Sequence, residues 1–398
     1  MNSLENLQFH IISMATYGVG LSGGDRIFIE LARRLGEKYP VYLYLWEEGL
    51  HICKREGLED VNYVMWSAKS WAEFGFFINY FARIFIGIFK ALFIKIDNSP
   101  SVIIYSASEF WQDTIPAFII KLRYPKVRWL AAWYQTAPNP FRGYSEGEEK
   151  VRYRFKAFLY WFVQLPIKPI IKSFASLVLV NNDQERKNFP ELNKENKILV
   201  MLGAVDLKSI NIYKNKFKDL PKIYDGVFQG RFHPQKGVVE LIDIWKLIVK
   251  AKPDAKLAMI GDGPLMEKVK AKIEGEKLGS NVNLFGYLFD GSEKYKIFAQ
   301  SKIVLHPSFY DSGGMASAEA MIFGLPAVGF NLPSYSSYYP EGMIKVKVGD
   351  LDAFAKQILV LLNEKGSYNK LAKEGVEMIE SNWSWDQRVC SLLNRIVL

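Results

Sequence analysis

At 398 residues, with 49% hydrophobic and 23% charged side chains, the chain is long enough for two ordinary domains, and its composition excludes intrinsic disorder. Two cysteines (Cys53, Cys390) and four histidines (His10, His51, His233, His306) form no disulfide framework, redox pair or zinc spacing. No metal site is expected, and a reduced, cytoplasmic setting is. The net charge of +9 is concentrated between Arg83 and Lys172, where 14 Lys and Arg face 6 Asp and Glu; charge alone leaves phosphorylated substrates, anionic lipid and nucleic acid open as partners.

The first residues, MNSLENLQFH, lack the basic and apolar regions of a secretory signal. Leu7 to Met14 reads as a strand, Thr16 to Gly24 as a glycine-rich loop, and Asp25 to Leu35 as a helix with Ile27, Phe28, Leu31 and Leu35 on one face. Further strands are expected at Pro40–Leu45, Ser101–Tyr105, Val127–Ala132 and Leu177–Val180. Apolar strands separated by helices imply parallel βαβ units.

Phe74 to Ile94 breaks this pattern: a long, Phe-rich apolar run carrying Arg83 and Lys90. Each cation would cost roughly 2.5–3.5 kcal/mol near a bilayer centre, so a spanning helix is not expected. Asn79, Arg83, Gly87 and Lys90 share one helical face. Two readings fit: a helix lying in the membrane interface with its cations at the headgroups, or an internal helix with its polar stripe in solvent. A second aromatic and basic stretch, 151–174, has the same composition.

Residues 207–223 are Lys-rich and poorly periodic, and are read as a connection between domains 1–206 and 224–380, with 381–398 as a C-terminal helix packing back towards the first domain. The second domain repeats the alternation. Strands are expected at Tyr224–Gln229, Ala255–Ile260, Val282–Phe285 and Ile303–Leu305, and helices at Val238–Lys250 and Leu265–Glu276. The expected architecture is two doubly wound, Rossmann-like parallel sheets facing across a cleft, with ligands beyond the carboxyl ends of the strands.

The motifs lie at those ends. GRFHPQKG (Gly230–Gly237) puts Arg231 and Lys236 in one loop, where they either hold a diphosphate or are solvated loop cations. HPSFYDSGGMASAEAMIFG (His306–Gly324) reads as a strand end, a glycine turn and a helix start, with Asp311 and Glu319 eight positions apart. Amides at the turn suit an anion and carboxylates suit hydroxyl groups, a pairing that fits a sugar nucleotide; a turn whose glycines serve only packing is the other reading.

Gly230-Arg231, Lys236-Gly237, Gly261-Asp262-Gly263-Pro264 and Asp311 to Ala320 follow in an order that resembles the GT-B retaining glycosyltransferases of family 4, with further matches at Ser22–Arg26, Gly203–Asp206 and Gly349-Asp350. The resemblance runs over nearly the whole chain and implies the GT-B fold. It assigns Glu319 to ribose hydroxyls and Asp311 to a donor-sugar hydroxyl, helped by the amides of Gly313, Gly314 and Met315. It assigns Arg231 and Lys236 to the leaving diphosphate, and Gly230 and Gly261 to the donor loops. Tyr287 and Leu288 border the base, and Gly23 and Gly24 face the reaction centre. The implied reaction is metal-independent transfer from a nucleotide-diphosphate sugar, with retention, to a lipid-linked or membrane-proximal glycan. It needs no cofactor beyond the donor and places the protein at the inner face of the cell membrane, touching it through 74–94 and 151–174. Nucleic acid is not expected as a partner, since the cations alternate with long aliphatic runs.

Two departures mark the donor turn. Asp311 stands where the family has Glu, and Gly313 where it has an apolar residue; both substitutions would leave room in the pocket. No His follows the Val127–Ala132 strand, which leaves Glu109, Tyr134 and Gln135 as acceptor-side candidates. The alternatives are a GT-B protein that binds sugar nucleotides without turnover, and a GT-B sugar-nucleotide epimerase, for which the chain is poor in histidine.

Overall fold

The computed structural model describes residues 6–18, 20–68, 71–137, 139–141, 154–311 and 313–397. The chain divides into two compact units.

The first unit holds a seven-stranded sheet of β1 (Gln8–Ser13), β2 (Val41–Trp46), β3 (Asn62–Ser67), β4 (Val102–Ser106), β5 (Arg128–Trp133), β6 (Leu177–Val180) and β7 (Ile198–Val200). Their spatial order is β3-β2-β1-β4-β5-β6-β7, and every pair is parallel. The helix Trp385–Val397 belongs to this unit: Arg34 Nε donates to Asp386 at 2.7 Å and Arg388 Nε to the Leu202 carbonyl at 3.0 Å.

The second unit holds β8 (Tyr224–Gln229), β9 (Leu257–Ile260), β10 (Val282–Leu284), β11 (Ser301–His306), β12 (Ala327–Phe330) and β13 (Met343–Val346), in the order β10-β9-β8-β11-β12-β13, again all parallel. Residues 207–223, read from sequence as a connection, carry the helix Leu207–Lys216, capped by Asp206 and anchored by buried Ile210.

Central strands such as β4 and β6 are buried along their whole length, as strands covered by helices on both faces must be. In each sheet the strand order reverses between the first strand and its neighbour, β1/β4 and β8/β11. A crevice opens there because the connections leave in opposite directions.

The Phe-rich helix runs Phe76–Phe93 and corrects both sequence readings of its polar stripe. The stripe turns into the protein at Asn79 and Arg83, each 2% exposed, and only Lys90 at its end stays exposed. Gly87 faces the helix Trp111–Arg123 so closely that a Cβ there would lie 2.8 Å from Pro116 Cγ. Arg83 is satisfied inside: it donates to Met14 O at 3.0 Å, Asn79 Oδ1 at 3.1 Å, Glu48 Oε2 at 2.8 Å, and also to Thr16 O. A buried guanidinium is tolerable only with such a full set of acceptors. The opposite face is an i, i+4 ridge of Phe77, Phe81, Phe85, Phe89 and Phe93, 48–67% exposed. No helix among the described residues is long and apolar enough to cross a membrane.

Candidate functional site

The β8/β11 crevice brings the sequence motifs of the second unit together. After β8 the chain makes a turn at Pro234–Lys236 and enters the helix Val238–Ala251 through Gly237. Gly237 has φ +63°, and a Cβ on it would sit 2.0 Å from the Pro307 carbonyl oxygen, so only glycine lets the two loops approach. Phe309 N and Tyr310 N then donate to Gln235 O at 2.8 and 3.3 Å, which fixes the loop after β11 against the loop after β8.

That docking sets Lys236 Nζ 2.5 Å from Asp311 Oδ2. Oδ2 also meets His306 Nε2 at 2.9 Å, while Oδ1 accepts from the amides of Gly313 and Gly314 at 3.2 Å each. Burial pushes the Asp311 carboxyl up, but the Lys236 ammonium and the His306 hydrogen bond outweigh it and hold the group well below the usual carboxylate range. Burial pushes His306 down, towards the neutral ring. Since an ionised Asp311 can only accept, Nε2 carries the His306 proton and Nδ1 accepts from Ser317 Oγ at 2.7 Å.

Gly313 does not leave a space. A Cβ there would lie 2.5 Å from Tyr338 Cζ, so the tyrosine ring occupies the volume that an apolar side chain would take. This corrects the sequence expectation of extra room at that position. Met315 opens the short helix Met315–Met321, which carries Glu319. Glu319 belongs to a different network from Asp311. Its Oε2 lies 2.6 Å from Lys294 Nζ, and Lys294, 1% exposed, also pairs with Asp290.

The remaining donor-side candidates line neighbouring strand ends. Arg231 is exposed, and its guanidinium bonds to no described residue. Gly230 N donates to Ile260 O at 3.0 Å and Gly261 N to Gly286 O at 2.7 Å, stitching the loops after β8, β9 and β10 in sequence. Tyr287, 42% exposed, stacks edge-on with Phe289 at 5.0 Å, and Leu288 is half-buried between them. An open hollow of about 660 Å³ lies between the Asp262–Pro264 turn, Met266 and Gly286; none of Arg231, Lys236, Asp311 or Glu319 lines it.

In the first unit, Gly23 and Gly24 open the helix Gly23–Gly36, whose Ser22 and Asp25 form a reciprocal cap. Gly24 faces Tyr134, with 3.8 Å from its Cβ position to Tyr134 Cδ2. Glu109, Tyr134 and Gln135 also meet. Tyr134 N donates to Glu109 Oε2 at 3.2 Å, and Tyr160 Oη lies 2.7 Å from Glu109 Oε1 and 3.0 Å from Gln135 O. Sequence reading missed Tyr160, His306, Ser317 and Lys294; His306 and Ser317 lie within the His306–Gly324 motif, but nothing in its spacing gives either of them a role.

Burial pushes Glu109 up to about 7, against the hydrogen bond from Tyr160, and pushes neighbouring Asp113 up to about 7 as well. A carboxyl near 4.5 when unfolded and near 7 when folded holds more protons in the folded state between those values. Stability therefore falls as pH rises across that window and levels off above it. E109Q, whose amide can bond Tyr160 and Tyr134 alike, removes Glu109's share, roughly 3 kcal/mol of pH dependence. Urea unfolding at pH 5 and pH 8 should show the variant distinctly less pH-dependent than wild type. An unchanged dependence would remove Glu109 from the account.

The family model of Glycosyl transferases group 1 matches residues 214–378. The chain is 25% identical over 160 residues to a Bacillus subtilis poly(glycerol-phosphate) alpha-glucosyltransferase, covering 39% of this chain and 23% of that protein. It is 27% identical over 221 residues to a Staphylococcus aureus poly(ribitol-phosphate) alpha-N-acetylglucosaminyltransferase, covering 48% and 43%. It thus spans less than half the length of these two relatives. Among solved structures, a Staphylococcus aureus TarM mutant in complex with Fondaparinux, alpha-GlcNAc-glycerol and UDP superposes with a TM-score of 0.71 at 14% identity, over 98% of this chain and 99% of that one. Anabaena HepE in complex with UDP and glucose gives 0.69 at 12% identity, over 98% and 100%.

Proposed function

We propose, for a chain of the GT-B fold whose residues 214–378 match the family model of glycosyl transferases group 1, that it moves a sugar from a nucleotide-diphosphate donor to a glycan acceptor. The observation that carries this reading is the cation and carboxylate pair, Lys236 and Asp311, held at the β8/β11 reversal by loops that also present exposed Arg231. An ammonium has three N–H groups, and Asp311 takes one, leaving two for phosphate oxygens. Lys236 and Arg231 would meet the charge that grows on the departing diphosphate, in place of a metal ion. The leaving phosphate oxygen would take the acceptor's proton, and the sugar would keep its anomeric configuration. Glu319 would accept from the ribose hydroxyls, Tyr287 and Leu288 would border the base, and Asp311 would orient Lys236 beside the sugar. Glu109, Tyr134 and Gln135 would serve the acceptor side.

The acceptor we propose is lipid-linked or membrane-proximal, met at the cytoplasmic face. The support is the exposed Phe ridge of Phe76–Phe93, with exposed Lys90 and Lys95 at its end suited to anionic headgroups. Helix Arg154–Phe174 adds exposed Trp161, Phe162 and Leu165; residues 151–153 of the second stretch lie outside the described residues.

One feature favours a second reading, a protein that binds sugar nucleotides without turnover: Asp311 already has four internal donors, from Lys236, His306, Gly313 and Gly314. Incubating EDTA-treated protein with a panel of nucleotide sugars and lipid-linked or soluble glycans separates the two. Transfer predicts acceptor-dependent release of nucleoside diphosphate and a product with the donor's anomeric configuration. Donor binding with no release under any pairing would establish the second reading.

A further inference from the structure

Lys294 is a lysine placed where lysines are rarely found. It lies on the helix Ser292–Ala299, is 1% exposed, and its ammonium passes over the rings of Tyr295 and Phe298 at 5.0 and 5.8 Å. A buried ammonium is costly unless paired, and it is paired twice. Asp290 comes from the loop that follows β10 and carries Tyr287 and Leu288, while Glu319 comes from the helix after β11. One cation therefore ties together two segments that sequence reading assigned to separate parts of a nucleotide. The tie is one-sided at Glu319: Lys294 holds Oε2 at 2.6 Å, and Oε1 has no donor among the described residues.

We propose that Lys294 is the positioning residue for nucleotide recognition: by clamping Oε2 of Glu319 and the carboxylate of Asp290 in one ion pair, it presents Oε1 to a vicinal diol and sets the distance between diol and base. This rests on the donor-site reading and deepens it, since it assigns selectivity for ribose over deoxyribose to a side chain that touches no ligand. A carboxylate fixed at one oxygen accepts from a hydroxyl at a defined place. The same carboxylate released from its cation can swing, and the advantage of the diol is lost.

The test is calorimetric binding of UDP and GDP and of their 2′-deoxy and 3′-deoxy forms to full-length wild type and K294M. Wild type should prefer the ribose form of the bound nucleotide by about tenfold to a hundredfold, the range for a hydrogen bond to a charged group. K294M should bind ribose and deoxyribose forms within about threefold of each other. In transfer assays its KM for the donor should rise while kcat changes far less. If K294M does not fold, K294M/D290N also removes the Asp290 charge, keeps Glu319, and must show the same loss of preference. Undiminished preference in a folded variant overturns the role of Lys294 alone. Wild type that binds neither nucleotide, or binds both forms equally, overturns the donor-site reading on which the proposal stands.

Discussion

K236M should lower kcat for sugar transfer by about 10²- to 10³-fold, the effect of removing one well-placed donor from a developing negative charge. Lys236 is held for that task by the short ion pair to Asp311 and by a turn that closes only because residue 237 is glycine. The loss has a structural share that must be separated. In K236M the Asp311 carboxylate keeps His306 and the amides of Gly313 and Gly314 but loses its cation, at a cost of about 1–3 kcal/mol of stability. Asp311 is depressed in the folded state, so its contribution is present above its unfolded value of 3.8 and fades as pH falls below it; the K236M deficit should narrow in acid. K236M/D311N should recover much of the stability and none of the rate. Chemical denaturation and initial rates on the same three proteins decide the matter. A K236M enzyme within a few-fold of wild-type kcat would remove the lysine from the chemistry.

F81S/F85S/F89S should abolish flotation with vesicles containing anionic lipid while leaving the fold intact. These rings are 48%, 67% and 61% exposed, so the native state loses little packing when they shrink. Fully burying one Phe side chain in an apolar medium is worth about 1.5–3 kcal/mol, so three rings exposed by about half to two-thirds supply roughly 3–5 kcal/mol together, a large share of a reversible peripheral contact. Arg83 has to be retained, because three of its four internal acceptors join this helix to Met14 and Thr16 in the loop after β1 and to Glu48. Flotation of the triple variant at the wild-type level would show that the ridge serves another surface.

Much of the architecture was legible because apolar runs and parallel connections leave a strong trace. Strands β1, β2, β4, β5, β6 and β8 to β11 appear within a residue or two of their expected places. The four that sequence reading passed over are short or marginal. β3 is an edge strand with only Trp66 buried, β7 has three residues, and β12 and β13 have four each. The Phe76–Phe93 helix shows the limit of periodicity. Spacing locates a polar stripe but not which side faces the protein, and here Arg83 turns inward because carbonyls and Glu48 await it. The loops after β8 and β11 are legible from their glycines and charges, yet their internal pairing is not. Asp311 and Glu319, eight positions apart, read as one site and fold into two networks, one built on Lys236 and His306 and the other on Lys294. Lys294 left no trace, because a lysine on a helix reads as a solvated charge until the fold places a carboxylate 25 positions away against it.

On the proposed function, the β8/β11 crevice of the second unit holds the diphosphate of a sugar nucleotide through Arg231 and Lys236. Calorimetric titration of UDP and GDP into wild type and R231A/K236M, with EDTA present, tests it most directly. Wild type should bind one of them saturably at one site, and a variant that remains folded should bind it at least 10²-fold more weakly. Equal affinity for wild type and variant would contradict it.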